Sequence, residues 1–266
     1  MGRLVFVGAG LGGPQSLTPQ ALDVLKDSAC VYLETYTTLL PEDFPGQLSS
    51  MIGKRVRVVG RKEVEDGSII LESASAGKCA LVVGGDAMSA TTHVSLRIEA
   101  ARRGIGTEMV FGQSIFTAAP SLLGLQQYRF GRTVSMPLFT ERFRPSSPLE
   151  MVEANLNANL HTLLLLDIDA DSNYFMAPRT CFEQLLELSQ KAGHTLLNGD
   201  TLACTVSRAG SAGSETHAGS ISRLMDIDTG APPHCVVVPS RLHFEEADAL
   251  VLFSGARRDE VSGFTV

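Results

Sequence analysis

The amino-acid sequence predicts an α/β fold made of two α/β domains that pack closely, and three observations support this prediction. Short aliphatic or β-branched runs alternate with helical patterns along the 266 residues, which is typical of a largely parallel sheet flanked by helices. Apolar residues make up 44% and charged residues 19% of the chain, which excludes a disordered protein. A chain of this length can bury a core for one large or two modest domains. We expect the domains to span residues 1–112 and 113–266.

The first half of the chain begins with an apolar run at residues 4–7, which predicts a buried strand. Thr18 and Pro19 then provide an N-cap and a first helical residue, so we expect a helix from residue 19 to about residue 26. Gly104 follows an arginine-rich segment and is typical of a helix C-terminus. Further strands are predicted at 31–34, 56–59, 80–83 and 107–111, and further helices at 68–76, 92–103 and 114–123.

The second half shows the same alternation of strands and helices. Residues 144–148, with the sequence RPSSP, predict a rigid connector, and no low-complexity tract or repeat separates the halves. Strands are predicted at 133–136, 162–167, 202–207 and 235–238, and helices at 148–159, 179–191 and 244–253.

Charge and composition exclude several classes of protein. The formal net charge is −7, so we expect no nucleic-acid partner, because a phosphate-binding surface needs an excess of Lys and Arg. The longest purely aliphatic run, residues 163–166, is too short to cross a membrane, and we expect no membrane association. The cysteines are scattered without zinc spacing, which indicates no metal site, reduced thiols and a cytoplasmic protein. They are Cys30, Cys79, Cys181, Cys204 and Cys235.

A glycine-rich loop follows the first predicted strand. Residues 8–13 contain the spacing G-x-G-x-x-G, and Glu34 ends the next strand about where a dinucleotide-binding acid would lie. However, the cap signal at Thr18 places the helix start several residues after the glycines, whereas a pyrophosphate site needs the helix to begin within the turn. The loop therefore leaves three interpretations open: a dinucleotide site, a structural tight turn, or a backbone surface close to another ligand.

A second glycine loop follows the strand at 80–83 and has the sequence GGDAMSATTH at residues 84–93. Asp86 lies at the end of that strand and is followed by small hydroxylated residues, which suits a polar ligand with donors or positive charge. The alternative is that Asp86 only caps the loop through backbone amides. His93, at the opening of a helix, is expected to be a satisfied structural histidine.

Taken together, these segments resemble the diphthine synthases of the S-adenosylmethionine-dependent tetrapyrrole methylase superfamily. The resemblance covers nearly the whole chain and is of the archaeal type, since the insertion after the LLDI strand of eukaryotic relatives is absent. Ala87 and Ser89 depart from the family pattern, which usually has Pro and then Val or Gly there. The matching segments are GAGLG at 8–12, VYLETYT at 31–37, GGDAMSATTH at 84–93, SIF at 114–116, GLQQYRFG at 124–131, RPSSP at 144–148, LHTLLLLDI at 160–168, SRAGS at 207–211 and PPHCVVVPSRLH at 232–243.

The resemblance implies a fold, a cofactor and a reaction. It implies two α/β domains of the tetrapyrrole methylase type with S-adenosylmethionine in the interdomain cleft, S-adenosylhomocysteine as product, no metal, and a homodimer. It also implies methyl transfer to the amino group of a 3-amino-3-carboxypropyl-histidine on translation elongation factor 2, three times in archaeal members, which gives diphthine for diphthamide biosynthesis. The cofactor contacts that it implies are Leu11, Asp86, Ser89, Ser114, Ile115, Leu166, Ala209 and His234.

Two alternatives stay open at the level of sequence. One is a methyltransferase of the same superfamily that acts on a tetrapyrrole; the other is a nucleotide-binding protein without turnover, favoured only by Ala87 and Ser89. His234 suits a hydrogen bond to the adenosine moiety or a general base. No side chain is assigned as catalytic, because a sulfonium methyl donor mainly requires alignment with an uncharged amine. Tyr36, Tyr128 and Phe130 could contribute part of a cage for the methylated ammonium, although core packing is favoured for each.

Overall fold

The computed structural model describes residues 2–170, 172–193 and 196–265 of the chain. The chain divides into two compact units. The first unit contains Met1–Ile115, Asp169–Asn173 and Gly210–Ala212. The second unit contains Phe116–Ile168, Tyr174–Ala209 and Gly213–Val266.

The first unit is built on a five-stranded sheet in which every pair of neighbours is parallel. The strands are β1 (Arg3–Gly8), β2 (Cys30–Glu34), β3 (Val56–Val59), β4 (Lys78–Val83) and β5 (Gly106–Val110). They lie in the order β3-β2-β4-β1-β5, so all five carboxyl ends meet at one edge. Loops at this edge of a parallel sheet are where ligands bind in α/β proteins.

Helices cover the sheet of the first unit, and the first of them begins as predicted. The Thr18 hydroxyl accepts a hydrogen bond from the Ala21 amide at 3.1 Å, and Pro19 is the first helical residue. Two of the helices, at Phe44–Ile52 and Arg61–Asp66, have no counterpart in the prediction. The helices are α1 (Pro19–Asp27), α2 (Phe44–Ile52), α3 (Arg61–Asp66), α4 (Ser68–Ala76) and α5 (His93–Arg102).

Both faces of this sheet are buried. Leu4 and Phe6 of β1 pack into one cluster, and Val5 and Val7 pack into a second cluster. A strand that is buried on both faces must be apolar at every position. This explains why β1 is a continuous hydrophobic run and not an alternating one.

The second unit has a five-stranded sheet of a different kind. The strands are β6 (Val134–Met136), β7 (Thr162–Leu166), β8 (Ile168–Asp169), β9 (Tyr174–Phe175), β10 (Leu202–Ser207), β11 (Glu215–Ser220) and β12 (His234–Val238). The five-stranded sheet has the order β11-β10-β12-β7-β6, and only β6 and β7 run parallel, whereas a separate two-stranded sheet pairs β8 with β9. The prediction of a largely parallel sheet therefore holds for the first unit alone.

Four helices described in the later part of the chain match predicted helices, whereas the short helices at Ile221–Leu224 and Arg258–Ser262 have no counterpart in the prediction. Ser147 and Pro148 are the first residues of α7, so the end of the RPSSP segment is helical and not part of a connector. The helices are α6 (Ile115–Leu123), α7 (Ser147–Asn157), α8 (Pro178–Ala192), α9 (Ile221–Leu224), α10 (Phe244–Ser254) and α11 (Arg258–Ser262). Among the described residues, no helix is both long enough and apolar enough to cross a membrane.

A buried polar network connects β7, β12 and α10 of the second unit. The His161 Nε2 atom lies 3.1 Å from Glu246 Oε1, and the Ser240 amide donates to His161 Nδ1 at 2.9 Å. Arg129 forms a salt bridge with the same carboxylate, which also accepts the amide of Gln126 at 2.9 Å. Three segments that carry the family resemblance, YRFG, LHTLLLLDI and PSRLH, therefore meet in one structural network.

Candidate cofactor site

The two glycine loops of the first unit are hydrogen-bonded to each other at the carboxyl edge of its sheet. The Gly10 amide donates to the Gly85 carbonyl at 3.0 Å, and the Gly85 amide donates to the Gly10 carbonyl at 2.8 Å. The Ala9 amide donates to the Val83 carbonyl at 2.7 Å. Because β1 and β4 are neighbours, their outgoing loops continue the pairing and form one surface.

Three glycines allow this surface to be made of backbone. A Cβ atom at Gly8 would lie 2.5 Å from the Gly112 nitrogen and 2.7 Å from the Gly85 oxygen. A Cβ atom at Gly112 would overlap the same Gly85 oxygen. These glycines end or follow β1, β4 and β5, so the main chain of three adjacent strands is in direct contact here, as a cradle for a small ligand requires.

Leu11 follows this junction in the first loop. Its side chain lies 3.7 Å from the position that a Cβ atom of Gly85 would occupy, and the Gln113 carbonyl lies 3.8 Å from that position. Ser114 and Ile115 come immediately after Gln113, at the start of α6. The described structure therefore brings Leu11, Ser114 and the loop that carries Asp86 to one edge of the first unit.

The helix start is displaced from the glycines, as the sequence predicts. Gly13 has a φ angle of 113° and is followed by a short 3-10 turn at Pro14–Ser16. The Ser16 hydroxyl accepts the Gly12 amide at 2.9 Å, and α1 begins only at Pro19. The amide that a pyrophosphate would require is bonded to a side chain of the same loop.

Glu34 does not serve as a ribose-binding acid. Its side chain is fully buried, and its Oε2 atom accepts the amides of Tyr36 and Thr37 at 3.0 and 3.1 Å. The Thr37 hydroxyl donates to the other carboxylate oxygen. Both oxygens therefore hold the turn that follows β2, and this arrangement disfavours the dinucleotide interpretation.

Asp86 caps its own loop. Its Oδ1 atom accepts the Met88 amide at 3.1 Å and the Ser89 hydroxyl at 3.0 Å. The Ala87 carbonyl accepts the Thr91 hydroxyl at 2.9 Å and lies 3.0 Å from His93 Nδ1. One oxygen of the half-buried Asp86 carboxylate therefore maintains the turn at the carboxyl edge of the sheet.

His93 and Tyr36 lie behind this loop. His93 is 1% exposed, and its Nε2 atom has no hydrogen-bond partner among the described residues, so it is only partly satisfied. The Tyr36 ring packs edge-on against His93 with centroids 6.3 Å apart, and the Arg61 guanidinium lies 5.2 Å from the Tyr36 ring centroid. Burial raises the pKa of Tyr36. Tyr36 is 7% exposed, belongs to a core cluster and is covered by Arg61, which agrees with the core packing that the sequence favours for it over a place in an ammonium cage.

The other two aromatic candidates for the cage lie in the second unit. Tyr128 is 80% exposed, and the Phe130 ring packs edge-on against His161 with centroids 5.3 Å apart. The core packing favoured from the sequence is therefore wrong for Tyr128, whereas Phe130 contacts a buried histidine of its own unit.

His234 begins β12 of the second unit, and its Nδ1 atom lies 2.9 Å from the Ser207 hydroxyl oxygen. Burial and, to a smaller extent, the positive charge of Arg208 lower the pKa of His234 to about 4. His234 is therefore neutral near pH 7. A histidine with this pKa is a weak base, which favours a hydrogen-bonding role over proton abstraction.

Arg208 positions the segment that precedes His234, and sequence reasoning did not single it out. Its guanidinium donates to the carbonyls of Thr229 and Ala231 at 3.1 and 2.6 Å, and its amide donates to the Pro233 carbonyl at 2.8 Å. Arg208 thereby holds the PPH segment beside Ala209, its own neighbour in the SRAGS segment. The arginine of the SRAGS segment is the sequence feature from which this positioning role could have been predicted.

Of the eight predicted contacts, Leu11, Asp86, Ser89, Ser114 and Ile115 belong to the first unit, and Leu166, Ala209 and His234 to the second. Leu166 is 8% exposed and packs in the main core cluster of the second unit, so packing already accounts for its apolar character. The assignment of all eight residues to a cofactor stays a prediction.

Comparisons with known proteins agree with this architecture. The family model of tetrapyrrole (corrin/porphyrin) methylases matches residues 3–225. A diphthine synthase from Methanothermobacter thermautotrophicus is 40% identical over 255 residues, covering 96% of this chain and 97% of that protein, and one from Methanocaldococcus jannaschii is 37% identical over 250 residues, covering 93% and 97%. A crystal structure of diphthine synthase superposes with a TM-score of 0.88 at 32% identity and covers 98% of this chain and 99% of that one. The chain therefore belongs to the tetrapyrrole methylase family and, within it, to the diphthine synthases.

Proposed function

We propose that this protein transfers methyl groups from S-adenosylmethionine to the amino group of the 3-amino-3-carboxypropyl-histidine of translation elongation factor 2. Three successive transfers give diphthine for diphthamide biosynthesis. The observation that carries this proposal is the pairing of Gly10 with Gly85, which joins two glycine loops at the carboxyl edge of a parallel sheet, in a chain that belongs to the diphthine synthases.

The cofactor residues that we propose are Leu11, Asp86, Ser89, Ser114, Ile115, Leu166, Ala209 and His234. The close contact of Gly8, Gly85 and Gly112 supports this choice, because Cβ atoms at Gly8 or Gly112 would overlap neighbouring main-chain atoms and separate the loops that carry Leu11, Asp86 and Ser114. Such backbone groups suit the uncharged adenosine part of the cofactor. The Asp86 carboxylate favours its positive sulfonium end.

The sulfonium group supplies an activated methyl group, so this chain has to position the reactants more than to activate them. Backbone amides and carbonyls of the two loops bind and orient the cofactor. His234, which is neutral because its pKa is about 4, contributes a hydrogen bond and leaves the amine proton of the substrate to solvent. We assign no general base and no metal.

The partner proposed for catalysis is elongation factor 2 itself. The net charge of −7 supports attraction of a basic rim around the modified histidine, and such attraction weakens as salt is raised. We also propose a cytoplasmic homodimer in which residues 1–112 and 113–266 form the two domains of each protomer.

Incubation with elongation factor 2 that carries the 3-amino-3-carboxypropyl-histidine tests the proposal. Mass spectrometry of the modified peptide should show stepwise addition of methyl groups only when S-adenosylmethionine is present. A chain that leaves this peptide unchanged but methylates a tetrapyrrole precursor would replace the proposal by the alternative within the same family. Stabilisation against heat by NAD, and not by S-adenosylmethionine, would contradict both.

A further inference from the structure

Two cysteines face each other across neighbouring strands of the first unit. Cys30 is the first residue of β2, Cys79 is the second residue of β4, and the two are register partners in a parallel pair. Both side chains pack on the same face of the sheet. Neighbouring strands lie about 4.8 Å apart, which is within the range of Cα separations that a disulfide spans.

The two thiols have different surroundings. Burial is the main cause that raises the pKa of Cys79, and the neighbouring Cys30 raises it further. Cys79 is fully buried, whereas Cys30 is partly exposed. A reagent from solvent therefore meets Cys30 first, and Cys79 stays behind it as a protonated thiol.

Cys30 lines a cavity of about 490 Å³ together with Lys54, Arg55 and Arg57. The Lys54 ammonium is fixed by the carbonyls of Lys26 and Ser28 at 2.5 and 2.6 Å. None of the described residues that line this cavity is acidic. Cys30 is therefore a partly exposed thiol at a cavity whose charged lining residues are all cations.

We propose that Cys30 and Cys79 form a reversible redox pair that a peroxide oxidises to a disulfide. The Cys30 sulfur attacks one peroxide oxygen, the O–O bond breaks, and the released hydroxide takes up the thiol proton as water. This step leaves a sulfenic acid on Cys30. The Cys79 sulfur then displaces the hydroxyl group from the Cys30 sulfur, its own proton leaves with that hydroxyl group as a second water, and the S–S bond forms. In total, two thiols and one hydrogen peroxide give one disulfide and two waters.

The second unit provides an internal control. Cys204 of β10 and Cys235 of β12 lie on neighbouring antiparallel strands, and both are buried. Burial raises the pKa of Cys235 to about 12, and burial also raises that of Cys204. These thiols, and the buried Cys181, lack the partial exposure of Cys30. They should stay reduced in the folded protein.

The test is peroxide treatment of the folded chain, followed by alkylation of the remaining thiols in denaturant and peptide mapping. The thiol count should fall from five to three, since 5 − 2 = 3, and a cross-linked peptide should join Cys30 to Cys79. Dithiothreitol should restore all five thiols. Methyltransferase activity is not needed for this readout, so the result is independent of the proposed function.

Two variants distinguish the order of the steps. In Cys79→Ala, Cys30 should accumulate as a sulfenic acid that dimedone traps, whereas in Cys30→Ala the remaining four thiols should stay reduced. Circular dichroism checks that both variants are folded. A native chain in which Cys30 is oxidised to the sulfinic acid with no cross-link, or in which Cys204 and Cys235 are lost first, would overturn the proposal.

Discussion

The His161 imidazole and the Glu246 carboxylate form a hydrogen bond of 3.1 Å in the interior of the second unit, where both side chains are at most 1% exposed. The Ser240 amide donates to His161 Nδ1, so the tautomer with its proton on Nε2 satisfies both contacts. Glu246 also pairs with Arg129 and accepts the His243 amide at 2.8 Å. The residues of three separate segments are thus held by one carboxylate.

Glu246→Gln should destabilise the protein by about 3–5 kcal/mol, because it removes the buried charge that pairs with Arg129 and replaces one of the two accepting oxygens by an amide donor. The matched control is Glu245→Gln, since Glu245 is the neighbouring residue and its side chain is 71% exposed. That change should stay within about 0.5 kcal/mol. Urea unfolding at neutral pH measures both, and equal effects would contradict a special role for Glu246.

Gly112→Ala should weaken binding of S-adenosylmethionine and lower stability, because the new Cβ atom overlaps the Gly85 oxygen and the loops must separate. Gly46→Ala is the control, since no atom lies within 4 Å of its Cβ position and Gly46 belongs to α2. This control should stabilise the protein by about 0.5–1 kcal/mol. Calorimetry and thermal unfolding distinguish the two, and unchanged binding in Gly112→Ala would remove the cradle from the site.

Asp86→Asn should raise the Kd for S-adenosylmethionine about tenfold, which corresponds to about 1.4 kcal/mol, and should change the Kd for S-adenosylhomocysteine much less. The asparagine keeps an oxygen that can accept the Met88 amide and the Ser89 hydroxyl, so the turn survives while the charge is lost. Asp86→Ala removes both the accepting oxygen and the charge, so it should weaken the binding of S-adenosylmethionine and of S-adenosylhomocysteine. Equal weakening of the two ligands by Asp86→Asn would show that the carboxylate acts on the loop and not on the sulfonium.

His234→Asn should leave the shape of the pH–rate profile unchanged above about pH 5, because burial lowers the pKa of His234 to about 4 and the residue does not titrate in that range. The asparagine amide can still reach the Ser207 hydroxyl. We expect a several-fold increase in KM for the cofactor with a smaller change in kcat. Loss of an ionisation near neutral pH in the variant would restore histidine as a base.

Acid should destabilise the protein in two stages. Burial alone would raise the pKa of Glu246, but hydrogen bonds from His161 and from the amides of Gln126 and His243 outweigh it and lower the pKa to about 2. The pKa of Glu260 is also lowered to about 2. Burial alone would raise it, but this effect is outweighed, mainly by the hydrogen bond and the positive charge of Arg223. These carboxylates stay charged in the folded state while the unfolded chain takes up protons near its ordinary pKa of 4.5, so their stabilisation is lost as the pH falls from 4.5 to 2.

His234 also lowers the stability of the protein on acidification, and it does so at a higher pH than the two carboxylates. The unfolded histidine binds a proton near 6.5, whereas the folded one does so only near 4, so stability falls as the pH drops through this interval. Urea midpoints measured across the acid range should therefore decrease from about pH 6.5 downward. His234→Asn should remove the first part of the decrease, and a wild-type midpoint that rises on acidification would contradict the assignment.

Most regular elements could be predicted from the sequence because their signals are local. The helix at Ser68–Ala76 and the cap at Thr18 follow from short patterns of residue types. The helix at Phe44–Ile52 was missed, because Pro45 and Gly46 are typical of loops. The spacing of its buried residues Phe44, Leu48 and Ile52 was the signal that could have found it.

The remaining elements depend on partners that lie far away in the chain. The strand Glu215–Ser220 is polar and contains a glycine, yet it pairs with β10 along its whole length. In the site, Asp86 is recognisable from its place at the end of a strand, whereas the role of Gly112 appears only when its strand lies against Gly8. The same holds for Glu34, whose spacing suggests a ribose contact until its oxygens are seen to hold the next turn.

The contact of Gly8, Gly85 and Gly112 also bears on inhibitor design. A compound that lies against this surface would meet main-chain atoms, and a point mutation does not replace main-chain atoms. Any substitution that adds a side chain at these glycines would disturb the surface on which the proposed cofactor site depends. Resistance by mutation of the contacted residues should therefore cost activity, which makes this part of the molecule a durable place for a ligand to bind.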